Sequence, residues 1–243
     1  ALVMSFNFQG VHDENVDNTD YSKFPAYGGE FFYDEPWPDD FDYIKNEAIK
    51  FSNKYSDKIF MCNLHSCEPF IDQWTECFCN GKQYTYEEYL SEYIDGILSN
   101  VNGPKYLSVD LYPLLDGRGR DNQILREYLY NLEATAKLTR GTDIIQHYFI
   151  LTHGYNKRRA PASLADITFQ YYSAMAYGVK AFSCFTYKQQ KSKEYIGFDG
   201  MLNWQVNSDG SYTSYTTDIY DYVKEANEYL RSFENVYLSF DWK

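Results

Sequence analysis

Two adjacent carboxylates stand where a strand-like run gives way to a loop, in the tetrapeptide Tyr33-Asp34-Glu35-Pro36. The aromatic residues before it favour a strand, and Pro36 ends that strand because proline has no N–H to donate. Catalytic groups of parallel α/β proteins gather at the carboxyl ends of strands, so we predict that Glu35 is a general acid and base. Adjacent strand residues point to opposite faces, and Asp34 is therefore expected to face away. The alternative is that both carboxylates only cap the following helix.

The chain is rich in aromatic residues, with 26 Tyr, 17 Phe and 4 Trp among 243 residues. Tyr and Trp combine a flat apolar face with a polar edge. Such faces match sugar rings, which carry C–H patches on one side and hydroxyls at the rim. Most Phe and many Tyr are nevertheless expected in the core or in strands. The aromatic surplus predicts a carbohydrate partner.

A second carboxylate is needed if Glu35 acts on a glycosidic bond, because such hydrolysis usually uses two carboxyl groups. Asp110 is the first candidate, since it ends another strand-like run at the same predicted edge. Glu68 is the second candidate, in the loop after the intervening strand. Either residue can instead be structural, Asp110 as a helix cap and Glu68 as a solvated charge. Aromatic neighbours such as Trp37 are expected to raise the pKa of Glu35 by excluding water.

Further polar and aromatic residues lie at predicted strand ends or in loops. Strand-end side chains can hydrogen-bond sugar hydroxyls, and loop tryptophans can stack on sugar rings. Structural alternatives stay open, because a lone His is more often structural and a Trp is often partly buried between helices. The predicted substrate-binding residues are Asn63, Tyr112, His153, Tyr187, Trp37 and Trp204.

Composition also excludes several classes of partner. The formal net charge of −13 repels phosphate backbones, so no nucleic acid is expected. No run approaches the roughly 18 apolar residues of a membrane span, so no membrane is expected. The sequence has no G-x-S-x-G elbow, no phosphate loop and no H-E-x-x-H, and we predict neither cofactor nor metal. The protein is expected to be cytoplasmic, or secreted with its signal outside this sequence.

Strand-like and helix-like patterns alternate along the chain, which predicts a parallel sheet covered by helices. Predicted strands lie at 1–8, 29–33, 58–63, 106–112, 144–152 and 180–187. Predicted helices lie at 41–55, 85–100, 122–140, 163–178 and 214–233. Long loops are expected at 9–27, 64–84 and 188–212. These elements give about six βα units in a single domain over residues 1–243, two short of a closed (β/α)8 barrel.

Five motifs in this order resemble (β/α)8-barrel glycoside hydrolases near the family-42 β-galactosidases. They are Tyr33-Asp34-Glu35-Pro36, Leu107-Ser108-Val109-Asp110-Leu111-Tyr112-Pro113, Arg159-Ala160-Pro161, Ala176-Tyr177-Gly178-Val179-Lys180-Ala181 and Val223-Lys224-Glu225-Ala226-Asn227. The resemblance covers about residues 29–230. It implies a TIM-barrel-like parallel barrel, a glycosidase that cleaves β-glycosidic bonds, and Glu35 as the acid/base residue after the fourth barrel strand. Residues 1–8 then correspond to the third strand, and the first two strands are missing.

Two expectations follow from the incomplete barrel. Either the chain is part of a longer protein, or its open edge is closed by a partner, which predicts a homodimer. The resemblance also implies a nucleophilic Glu after the seventh barrel strand, but residues 147–154 contain no carboxylate. The alternative function is therefore a non-catalytic carbohydrate-binding or scaffold protein on a degenerate glycosidase barrel.

Overall fold

The computed structural model describes residues 3–6, 20–71, 79, 81–116, 124–154, 158–188 and 199–240. The strands are β1 Val3–Phe6, β2 Tyr27–Asp34, β3 Ile59–Leu64, β4 Tyr106–Val109, β5 Ile145–Leu151, β6 Ala181–Phe185, β7 Leu202–Val206 and β8 Tyr212–Thr216. The helices are α1 Phe41–Lys54, α2 Glu68–Ile71, α3 Tyr86–Gly96, α4 Tyr128–Thr139, α5 Leu164–Ala176 and α6 Asp218–Leu238.

Strands β1 to β6 form one sheet in chain order, and the pairs β1/β2, β2/β3 and β3/β4 are parallel. Helices connect successive strands from β2 to β6, as parallel pairing requires. The predicted α/β class and parallel sheet are confirmed. This strand order is the one that an incomplete parallel barrel has.

The predicted loop at 188–212 is wrong in part, because β7 and β8 form an antiparallel hairpin. Its register pairs Leu202 with Thr216 and Val206 with Tyr212. The run from Leu202 to Val206 alternates apolar and polar side chains, which is a strand pattern. Trp204 therefore lies on a strand, and the last helix begins at Asp218 because the residues before it complete the hairpin.

The chain divides into two compact units. The first unit comprises Ala1–Asp110 and Glu133–His147, and the second comprises Leu111–Leu132 and Tyr148–Lys243.

The core of the first unit lies between its sheet and the helices α1 and α3. Ring stacking joins neighbouring strands, with the centroids of Phe32 and Phe60 4.9 Å apart. The fully buried helical side chains include Ile44 and Ala48 of α1 and Tyr89 and Leu90 of α3. Helix α3 begins with a capping box, in which Thr85 accepts from the N–H of Glu88 and the Glu88 carboxylate accepts from Thr85. That cap fixes the start of the helix that carries the buried Tyr89.

The second unit has its own core around α5 and α6. Its buried members are Ile150, Ile167, Tyr171, Met201, Ile219, Val223 and Ala226. Arg159 makes a bidentate ion pair with Asp166, with both N–O distances 2.7 Å, and this pair fastens the segment before α5 to its first turn. Among the helices that the structure describes, none combines the length and apolar character needed to cross a bilayer.

Candidate active site

Three titratable residues each stand directly after one of three neighbouring parallel strands. Glu35 follows β2, His65 follows β3 and Asp110 follows β4. Because these strands are parallel and adjacent, their carboxyl ends lie at one edge of the sheet. All three residues belong to the first unit. The strand pairing therefore gathers them although they are widely separated in sequence.

Glu35 has a backbone φ of 53°, in the left-handed region that non-glycine residues rarely adopt. Its N–H donates to the carbonyl oxygen of Asn63 at 2.7 Å, which extends the β2/β3 pairing by one residue. Because this φ departs from extended geometry, the strict alternation of faces ends at Asp34. Asp34 does not face away as expected. It accepts a hydrogen bond from Asn63, and its charge acts on Glu35.

Asn63 holds two carboxylates with one amide. Its Nδ2 donates to Oδ1 of Asp34 at 3.2 Å and to Oδ1 of Asp110 at 3.1 Å. Because this amide is buried and both of its N–H groups are engaged, the carboxylates that end β2 and follow β4 are fixed around one donor. In the structure the Asn63 amide therefore positions two carboxylates of the protein. The sequence predicted instead that it hydrogen-bonds a sugar hydroxyl.

Hydrogen-bonded polar side chains continue from Asn63 through Ser108 to His147 on β5, and together with Asp34 they form a polar row. The hydroxyl of Ser108 donates to Oδ1 of Asn63 at 3.0 Å and lies 2.8 Å from Nδ1 of His147. A serine hydroxyl has one hydrogen, so Nδ1 of His147 carries the proton that it donates to Ser108. Burial lowers the pKa of His147 to about 4, and the imidazole is uncharged at neutral pH. The row Asp34–Asn63–Ser108–His147 thus runs across β2, β3, β4 and β5.

The pKa of Glu35 is raised from 4.5 to about 8. The main cause is the displacement of water by surrounding protein atoms, and the negative charges of Asp110 and Asp34 add to it. The side chain still exposes 53% of its surface. The pKa of the carboxyl is therefore raised although about half of the side chain remains accessible. Glu35 is therefore mainly protonated at neutral pH and open to a ligand.

His65 lies beside Glu35, and Trp37 packs against His65. Nδ1 of His65 is 3.9 Å from Oε1 of Glu35, and the His65 and Trp37 ring centroids are 4.1 Å apart. Burial lowers the pKa of His65 to about 4, although a hydrogen bond to the backbone of Glu35 opposes that shift. His65 is therefore uncharged at neutral pH and forms no ion pair with Glu35 there. The sequence interpretation missed His65, although its position two residues after Asn63 placed it on the same strand face.

Glu68, the second candidate for the partner carboxylate, is the first residue of α2 and is half-buried. The carboxylates that act on Glu35 are Asp110 and Asp34. Asp110, the first candidate, therefore lies with Glu35 in the same cluster.

The other predicted binding residues belong to the second unit. Tyr112 is buried and stacks on Phe185 with centroids 5.4 Å apart. His153 is buried, its Nδ1 lies 3.1 Å from the carbonyl oxygen of Phe185, and burial lowers its pKa. Tyr187 is 55% exposed just after β6, and Trp204 packs edge-on against a tyrosine of β8. Tyr112 and His153 therefore have packing contacts, whereas Tyr187 has a ring open to solvent.

Within the described ranges, no three His, Cys, Asp or Glu side chains are arranged to hold a metal ion. Comparison with known proteins gives no match to a family model, to a curated protein or to a solved structure. The chemistry of this site is therefore argued from its own residues.

Proposed function

We propose that this protein hydrolyses β-glycosidic bonds, with Glu35 as proton donor and Asp110 as the second carboxylate. One observation carries the proposal: Glu35 is an accessible carboxyl whose pKa is raised to about 8 beside a second, fixed carboxylate. A carboxylic acid kept protonated at neutral pH can protonate a leaving oxygen. Glycosidases combine such an acid with a nearby carboxylate.

The proposed reaction begins when the protonated Glu35 carboxyl donates its proton to the glycosidic oxygen as the C–O bond breaks. Asp110 acts at the anomeric carbon, as the base toward water or as the nucleophile, and the net reaction adds water across the bond. The configuration of the released sugar separates these two roles of Asp110. After proton transfer the Glu35 anion lies beside the charges of Asp110 and Asp34, which favours its reprotonation from solvent.

We also propose that the sheet belongs to a (β/α)8 barrel, of which β1 to β6 are six strands. In this assignment β2 is the fourth barrel strand and β1 the third, so Glu35 occupies the acid/base position of the resembled glycosidases. A second copy of the chain is proposed to close the open edge of the sheet.

The test is hydrolysis of aryl β-glycosides by the wild type and by Glu35→Gln. Gln keeps the shape of Glu but has no acidic proton, so turnover should fall about 10²–10⁴-fold. The loss should be larger for phenyl than for dinitrophenyl leaving groups, because a good leaving group needs less protonation. The matched control is Glu225→Gln, on the exposed side of α6. Full activity in Glu35→Gln would refute the assignment.

The rival function is sugar binding without cleavage, and the β7/β8 hairpin favours it. Tyr212 is 69% exposed, and its ring centroid lies 5.2 Å from that of Trp204. Exposed aromatic faces of this kind can stack on sugar rings. Wild-type protein that binds an oligosaccharide but cleaves none of the β-glycosides would establish this function in place of hydrolysis.

A further inference from the structure

The hydroxyl of Tyr89 joins the two loops that flank Glu35. Tyr89 belongs to α3 and is fully buried. Its hydroxyl donates to the carbonyl oxygen of Pro36 at 2.7 Å and accepts from the N–H of His65 at 3.2 Å. Pro36 directly follows Glu35, and His65 directly follows β3. One buried hydroxyl on a helix therefore fastens the end of β2 to the end of β3.

The residue held between these contacts is the one with the unfavourable backbone conformation. A non-glycine residue at φ 53° keeps this conformation only when its surroundings enforce it. On the amino side, the Glu35 N–H is bound to the carbonyl of Asn63, and on the carboxyl side, the next carbonyl is bound to Tyr89. The N–H of Trp37 in turn donates to the Asp40 carboxylate at 3.0 Å. Glu35 is thus fixed on both sides.

We propose that Tyr89 is a positioning residue whose hydroxyl holds Glu35 in its left-handed conformation and so keeps the Glu35 carboxyl beside Asp110 and Asp34. Without the hydroxyl, the backbone at Glu35 relaxes toward an ordinary conformation and the side chain turns toward solvent. The catalytic consequence rests on the proposed function, but the structural effect does not.

The titratable groups around Glu35 come from four elements. Asp34 ends β2, His65 follows β3, Asp110 follows β4 and Tyr89 lies on α3. Burial holds the pKa of Tyr89 well above its usual range, so the phenol carries no charge. Removing its hydroxyl leaves the charges of Asp34 and Asp110 in place, and any change in the Glu35 titration then reports the position of Glu35.

Tyr93 is a matched control on the same helix, one turn after Tyr89. It is also fully buried, and its hydroxyl accepts from the N–H of Cys62 at 3.3 Å. Cys62 lies inside β3 and is the register partner of Tyr33, before the loop begins. Both Tyr→Phe changes delete a buried hydroxyl that accepts from a backbone N–H, of Cys62 within β3 or of His65 just after it, but only Tyr89→Phe also releases the carbonyl of Pro36.

The experiment is carboxyl ¹³C NMR titration of Glu35 in the wild type, Tyr89→Phe and Tyr93→Phe. We expect the Glu35 midpoint to fall from about 8 by about one pH unit or more in Tyr89→Phe. It should stay at the wild-type value in Tyr93→Phe, while both variants lose thermal stability. Equal midpoints in the two variants would overturn the proposal.

The titration needs no substrate, so it separates this inference from the proposed function. If the midpoint falls in Tyr89→Phe but the wild type cleaves no glycoside, the positioning role stands and the hydrolase assignment fails. If Glu35→Gln abolishes cleavage but the midpoint is the same in Tyr89→Phe and the wild type, the positioning role fails.

A second variant keeps the test decisive if Tyr89→Phe alone does not fold. Glycine adopts positive φ without strain, so Glu35→Gly removes the need for the hydroxyl at this position. The double variant Tyr89→Phe/Glu35→Gly should then recover a cooperative unfolding transition, whereas Tyr89→Phe/Glu35→Ala should not. Equal behaviour of the two double variants would count against the proposal.

Discussion

Glu35→Gln should change the pH dependence of stability in a predictable direction. The pKa of Glu35 is 4.5 in an ordinary environment and about 8 in the folded protein. Between these values the unfolded chain releases the Glu35 proton while the folded chain keeps it. The stabilisation from the bound proton is fully present below pH 4.5 and is lost as pH rises through 8. Gln does not titrate, so the free energy of unfolding of the variant does not decrease for this reason as the pH rises.

The magnitude follows from the shift and from the exposure of the side chain. At about 1.4 kcal/mol per unit, a fully buried group would give roughly 5 kcal/mol. Half of the Glu35 side chain is exposed, and solvent screening reduces the expected effect to about 1–2 kcal/mol. The stability of Glu35→Gln relative to wild type should therefore rise by this amount between pH 4 and pH 9.

The assay is urea unfolding of wild type and Glu35→Gln at several pH values across this range. Glu225→Gln is the control, since it makes the same substitution at an exposed glutamate on α6. A constant difference between Glu35→Gln and wild type, or one that falls with rising pH, would refute the reasoning.

Other predictions concern the polar row and the assembly. Asn63→Ala removes the donor shared by Asp34 and Asp110 and should cost about 1–3 kcal/mol in the free energy of unfolding, with any glycosidase activity lost in parallel. His147 has its pKa lowered from 6.5 to about 4, so its contribution to stability is present above pH 6.5 and lost as pH falls through 4. His147→Gln should therefore flatten the decline in stability over that interval by up to about 3 kcal/mol in acid-unfolding measurements. Sedimentation should show a dimer if a second copy closes the sheet, and a stable monomer would contradict that assembly.

The sequence predicted the strands that carry the site because each strand has a run of aromatic or β-branched residues. It indicated Glu35 and Asp110 as candidate site residues because a carboxylate that follows a strand-like run can be recognised from the sequence alone. The shared amide of Asn63 was not predictable, since the donor and its two acceptors come from different strands whose register depends on the folded sheet. The position of Asp34 was missed because the alternation rule assumes extended backbone, and Glu35 has φ 53°.

The roles of the tyrosines were also hidden in the sequence. Their number predicted sugar-binding faces, but Tyr89 and Tyr93 are fully buried and use their hydroxyls on the backbone of β3 or its loop. A tyrosine on the apolar stripe of a helix looks the same whether its hydroxyl meets solvent or a carbonyl. Only the packing of α3 against the sheet shows which of these two environments the hydroxyl has.

The most direct test of the central claim is the pH dependence of kcat/KM for aryl β-glycosides, which reports the pKa values of the free enzyme. If Glu35 is the protonated acid, kcat/KM of the wild type should fall as pH rises through about 8, and Glu35→Gln should lack this limb. A wild-type profile that stays level well above pH 8, or an alkaline limb that survives in Glu35→Gln, would contradict the claim.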